Sequence, residues 1–228
     1  MIRSRSALLL LLLALCSTTT IAWAASNLVP RDQGDRNEKA VLRYLRPILK
    51  SSGTVARIYY RTDCQADDDY PIPFPKLLLR APNASQSVSA IPGIFPHNKK
   101  IQVTINEPGL VRIRIENFPE ALLHIKISSL ALKPVEQYDV QSAFRAIENT
   151  VEFQQALRTF GIKGIPRPYN LPVQSPVEGL PHLPPSLTNV TVDRALDLVA
   201  KTFGIVVVWG YCDSPPTYDL TYTDTLER

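Results

Sequence analysis

The chain has 228 residues, 45% of them hydrophobic and 20% charged, which is the balance of a globular protein and excludes wholesale disorder. Its formal net charge is +4, and taking off the two leader arginines, Arg3 and Arg5, leaves about +2. With signs alternating along most of the remaining length, electrostatic capture of nucleic acid is excluded as its organising function.

The first residues, Met1 to Ser6, precede an apolar run from Ala7 to Leu15 and then small residues ending in Ala22-Trp23-Ala24. That order of charge, apolar run and A-x-A motif predicts a signal peptide over 1–24, cut between Ala24 and Ala25. The run is far shorter than the roughly 20 residues a membrane-spanning helix requires, and no later stretch approaches that length. Export to a secreted or periplasmic location, with no membrane span after cleavage, is the expectation. Leu15 stands where a lipoprotein signal wants a small residue, so Cys16 is expected to leave with the leader.

Asp35 followed by Glu38 forms a loose capping box, and Val41, Leu42, Leu45, Ile48 and Leu49 share one face at helical spacing. The helix should be kinked or shortened by Pro47 and end at Ser51-Ser52-Gly53. Thr54 to Arg61 reads as a strand. The acidic, proline-broken stretch from Asp63 to Pro75 reads as a surface loop. Within it Asp67, Asp68 and Asp69 are weak candidates for calcium, because hard cations take several carboxylate oxygens from one loop; the EF-hand spacing and glycine are absent.

From Lys76 to Leu132 the pattern is strand-like: Leu77 to Leu79, Ile101 to Ile105, Val111 to Glu116 and Leu123 to Ile127. Period-two alternation predicts an antiparallel, half-buried sheet, and Glu107-Pro108-Gly109-Leu110 predicts a hairpin between the second and third runs. On its outer face, Arg112, Arg114 and Lys126, with His124, form a candidate surface for an acidic partner or glycan. The plain alternative is the charged outer face that any exposed sheet carries.

Asp139 and Thr150 are N-caps of two amphipathic helices, the second stopped by Gly161. Recurrent prolines over 164–186 predict an extended linker or strap. Thr191 then caps a helix with Val192, Ala195, Leu196, Val199 and Phe203 on one face, and Gly204 ends it before a buried strand from Ile205 to Trp209. The tetrapeptide Thr159-Phe160-Gly161-Ile162 recurs as Thr202-Phe203-Gly204-Ile205, either as an internal duplication or as two ordinary helix C-caps after a cation. Cys64 and Cys212, the even pair left once Cys16 departs, are expected to form a disulfide, with two separate thiols as the alternative.

The segment from Leu187 to Val208 has an Asn189-Val190-Thr191-Val192 entry, Ala195-Leu196 in the helix, Val199-Ala200 one turn on, then Gly204-Ile205 and a hydrophobic strand. In that order it resembles the helix-strand half of the secretin and TonB short N-terminal domain, over about 187–209 only. The resemblance implies a small α/β unit making noncatalytic contacts in the bacterial periplasm, within a secretin ring or with a partner at an outer-membrane receptor. It carries over no binding residue, and the strand-rich centre departs from the family's arrangement.

The reading is therefore an α+β protein with an antiparallel β-rich centre, amphipathic helices and a C-terminal helix-strand unit. Its organisation is a leader over 1–24, a main domain over 25–163, a strap over 164–186 and a module over 187–228. No G-x-S-x-G elbow, phosphate loop or zinc spacing is present, and His97, His124 and His182 are scattered. No cofactor is called for. The expected function is that of a noncatalytic envelope protein with a protein partner. The alternatives are a secreted hydrolase whose site assembles only in the fold and a secreted ligand-binding β module with an aromatic groove at Tyr59, Tyr60 and Tyr70.

Overall fold

The computed structural model of the chain describes residues 31–65, 72–81, 87–96, 98–165 and 179–225. The leader with Cys16 and the Ala24/Ala25 cut, Asp67 to Asp69, Tyr70, His97 and prolines 166, 168, 172 and 176 lie outside the described residues.

Helix α1 (Arg31–Ser52) buries Val41, Leu42, Leu45, Ile48 and Leu49, each at most 4% exposed, as the apolar spacing requires. Its start is a turn earlier than the capping box suggests. Pro47 does not shorten it, because the proline sits on the exposed side, where water can take the carbonyl it leaves unpaired. Gly53, at φ +60°, ends the helix in the left-handed conformation that glycine adopts without penalty. Strand β1 (Val55–Gln65) follows. Residues 77–79, predicted as a strand, are an irregular connection in which Leu78 is 63% exposed. A 3-10 helix (Val88–Ile94) leads to β2 (Ile101–Glu107) and β3 (Leu110–Ile115), paired antiparallel as the hairpin motif predicts.

After Pro119 the chain forms α2 (Glu120–Leu123) and only then β4 (Lys126–Ala131). The run over 123–127, predicted as one strand, is thus divided between two elements. Helices α3 (Pro134–Tyr138), α4 (Val140–Glu148) and α5 (Val151–Phe160) come next. Asp139 accepts a hydrogen bond from Ser142 N, and Thr150 from Phe153 N, so both predicted N-caps act as such. Two-residue β5 (Lys163–Gly164), β6 (Ser186–Thr191), α6 (Val192–Phe203), β7 (Ile205–Ser214) and β8 (Pro216–Asp224) complete the chain. The described end of the strap is fastened down: Leu183 N donates to Gln137 O, Leu132 N donates to Pro185 O, and Leu183 is buried.

The class is α+β, with a mixed six-stranded sheet in the order β2-β3-β1-β7-β8-β5 and a separate antiparallel pair, β4-β6. Two antiparallel hairpins, β2-β3 and β7-β8, are joined through β1, which pairs parallel with β3 on one side and β7 on the other. The C-terminal helix-strand unit is consequently not set apart from the main domain, since β7 and β8 lie in the six-stranded sheet and β6 pairs with β4. Helix α1 and the 3-10 helix cover one face, over Ala56, Ile58, Tyr60, Ile113, Val206 and Val208. The helices after β3 cover the other, over Val55, Tyr59, Val207, Trp209 and Leu220. The crossover from β1 to the first hairpin and the one from β3 to β7 thus pass on opposite faces.

Candidate functional site

Cys64 and Cys212 form a disulfide, with Cα atoms 5.7 Å apart, that joins the ends of β1 and β7. Both are buried against the α1-side core. Parallel pairing places Thr62 beside Cys212, which brings the two thiols together from positions 148 residues apart.

A charged network under α6 went unread in the sequence. In β1, Arg57 points to the same side as Val55 and Tyr59, and it is fully buried. Asp193 and Asp197, one turn apart on α6, receive it: Arg57 Nη2 lies 2.7 Å from Asp193 Oδ1, and Nη1 donates to Asp197 Oδ1 and to the Asp193 carbonyl. Tyr59 Oη donates to Asp193 Oδ1 at 2.8 Å, and the Arg57 guanidinium stands 4.7 Å from the Tyr59 ring centroid. Asp197, 1% exposed, also takes Arg112 Nη2 at 2.5 Å. Outside these, Glu107 holds Arg112, Arg194 and Lys201 at 3.0–3.1 Å. Burial pushes the Arg57 guanidinium below its ordinary range, opposed by Asp193 and Asp197. Hydrogen bonds from Lys201 and Arg112 hold the Glu107 carboxyl down to about 2. Removing charge from water is costly, and such an assembly persists only where opposite charges and hydrogen bonds meet it.

Beside this network lies a cleft of about 260 Å³, lined by Tyr59, Gln102, Thr104, Arg112, Arg114, Leu123, His124 and Asp193. Arg112 and Arg114, predicted to share a face, do share it. They do not stand open: Arg112 is bound under α6, and Arg114 Nη1 pairs with Glu120. Lys126 is exposed on β4, in the other sheet, and does not line the cleft. His124, 69% exposed, is 4.0 Å from Glu120, while His182 stacks on Tyr138 at a ring distance of 5.1 Å.

A larger crevice, about 600 Å³, opens at the carboxyl ends of the parallel strands β3, β1 and β7, where Arg61, Asp63, Lys100, Glu116, Asn117 and Asp213 are among its lining residues. Carboxyl ends at a point where crossovers part to opposite faces are where ligands sit in open α/β sheets. Four of its charges are matched in pairs, Arg61 Nε to Asp213 at 2.6 Å and Lys100 to Glu116 at 2.7 Å, while Asp63 and Lys76 on its lining belong to neither pair. Glu116 holds φ +59°, a conformation non-glycine residues seldom adopt.

The third reading needed an exposed aromatic groove, but Tyr59 and Tyr60 are 1% and 3% exposed, with Tyr60 Oη donating to Ile72 O. Among the described residues, no group of three or more His, Cys, Asp or Glu is placed to hold a metal ion, and no helix is long and apolar enough to cross a membrane. Comparison with family models, with curated proteins and with solved structures returns no match to this chain.

Proposed function

We propose that this chain is an exported, noncatalytic interaction protein of the cell envelope that holds an extended segment of a protein partner along the open edge of its sheet. The observation that carries the reading is β2. Seven residues long, it pairs with β3 and with no other strand among the described residues. The bond from Glu116 N to Lys100 O, taken with the register, makes Gln102 and Thr104 the bonded partners of β3. The N–H and C=O of Val103 therefore turn outward. Ile105 is 40% exposed on this strand. An open edge of this kind adds a strand from another chain, with main-chain bonds giving affinity and alternate side chains giving choice.

Two further features support the reading, the first its export and the second its noncatalytic character. The buried disulfide suits an oxidising compartment. Of the carboxylates lining the two clefts, Asp193, Asp213 and Glu116 are paired with neighbouring cations instead of being poised for proton transfer; Asp63 is in none of these pairs.

The test uses the full chain expressed with its leader. A photo-crosslinking residue at Ile105 should capture one discrete partner, and Val103→Pro, which removes an outward N–H and part of a half-buried side chain's packing, should abolish the adduct while lowering the unfolding midpoint only modestly. An adduct unchanged by Val103→Pro would sink the edge reading. Recovery of the chain uncut in the cell interior would sink export.

A further inference from the structure

The sequence shows its charges as alternating, but winding 36–52 into a helix sorts them, with Asp35 bordering the cations at the start. At 100° per residue, Arg36, Lys39, Arg43, Arg46 and Lys50 fall within about 80° of arc, on a ridge about 21 Å long. The helix docks on the sheet through Val41, Leu45, Ile48 and Leu49, so this ridge faces away from the core. Arg36, Lys39, Arg43 and Lys50 are exposed. Arg46 is held in place by a 2.6 Å bond from Nη2 to Thr223 Oγ1 on β8. A hollow of about 570 Å³ lies against the ridge, lined by Lys39, Leu42, Arg43, Arg46 and Pro47.

We propose that this ridge is a docking surface for an anionic membrane, binding lipid phosphates through charge alone. It is independent of the β2 reading. Charge complementarity names an anion, and the make-up of the face names its kind. A protein interface needs an apolar, often aromatic centre ringed by polar groups, whereas the large hydrophobic residues exposed on the described surface, Leu78, Ile105, Val151 and Phe160, all lie off α1. A row of cations on a convex ridge instead suits a flat layer of headgroups, with the hollow wide enough to admit one phosphate. Since the apolar face of α1 is already committed to the core, the helix cannot insert, and binding has no hydrophobic component. Attachment is therefore peripheral and fully salt-sensitive.

The experiment is co-sedimentation of the mature chain with vesicles of phosphatidylcholine alone or containing about one-third phosphatidylglycerol. Binding is expected only to the anionic vesicles and should vanish as salt is raised from ~0.05 to ~0.5 M. Each neutralised cation should weaken it about fivefold. The triple variant Lys39→Gln, Arg43→Gln, Lys50→Gln should then bind about 100-fold more weakly, and Arg43→Lys should bind as wild type does. A control triple, Lys133→Gln, Arg158→Gln, Lys163→Gln, with the same charge change at exposed sites elsewhere, should retain full binding. If the ridge triple unfolds, the single variants Lys39→Gln and Lys50→Gln give the fivefold steps. Equal binding to both vesicle types, equal loss in both triples, or binding to a short DNA duplex without binding to anionic vesicles overturns the proposal.

Discussion

On the α1 side of the sheet, the helix offers Val41, Leu45, Ile48 and Leu49 to Ile58, Ile113 and Val208 and keeps its row of cations outside. On the α6 side, Val192, Ala195, Leu196 and Val199 pack in the same manner, yet the helix also turns Asp193 and Asp197 onto a buried arginine. Apolar packing therefore suffices to seat a helix on this sheet. The ions under α6 add direction: two carboxylates one turn apart, meeting Arg57 in β1 and Arg112 in β3, accept one axial position of the helix where apolar contact alone would accept several. The Cys64–Cys212 bond, buried on the α1 side, fixes something else, since it ties strand β1 to its neighbour β7. One side carries a covalent tie within the sheet, the other an electrostatic tie between helix and sheet.

Unpinning the covalent side should cost most. The bond closes a separation of 148 residues, for which loss of chain entropy predicts about 5 kcal/mol. Guanidinium unfolding of Cys64→Ala/Cys212→Ala should report a loss of that order, and a change near zero would show that the clasp does not hold this face. Unpinning the other side comes next. Arg57→Ala removes one of the two arginines that hold Asp197, which is 1% exposed and keeps Arg112, and should cost about 3 kcal/mol, the lower end for breaking a buried pair. Arg57→Met/Asp197→Leu, which removes charge in pairs, should recover most of that loss. If the double variant is as unstable as the single, the ions contribute net stability and the positional role is wrong.

Much of this was legible in the sequence, because helix caps and hairpin turns are local. Asp139, Thr150 and Thr191 each cap a helix, and Gly161 and Gly204 end two at φ +65°. Both copies of Thr-Phe-Gly-Ile are thus seated as helix C-caps. The parallel pairing of β1 with both hairpins was not legible, since crossovers of some 40 and 90 residues fix it and no turn motif records them. The charged sites fell between. Arg57 is the lone cation in Val55-Ala56-Arg57-Ile58-Tyr59-Tyr60, and Asp193 and Asp197 stand i, i+4 beside an apolar stripe, a pattern visible once sought. The α1 ridge was missed because charge was read along the chain and not around the helix. Arg114 was placed correctly on its face, but its partner Glu120 comes from a turn of helix that lies between the two predicted strands and overlaps the second only at Leu123.

Acid should act on the two sides with opposite sign. Glu107, at the rim of the α6 network, is held from 4.5 down to about 2 by Lys201 and Arg112. Its stabilisation is complete above the unfolded value and is lost as pH falls from 4.5 through about 2. Urea unfolding of wild type and Glu107→Gln should therefore differ at neutral pH and converge in strong acid. Glu38 on α1 goes the other way. Burial, then Asp35 and Asp219, raise its carboxyl above 4.5, so the folded state disfavours its charge at neutral pH and the penalty disappears on protonation. Glu38→Gln should accordingly stabilise the protein modestly at neutral pH. The gain should shrink to nothing below the unfolded carboxyl value. A loss of stability at neutral pH would mean that Glu38 is anchored by a cation such as Arg46 or Lys39, and the ridge of α1 would then hold an internal counter-ion at its own flank.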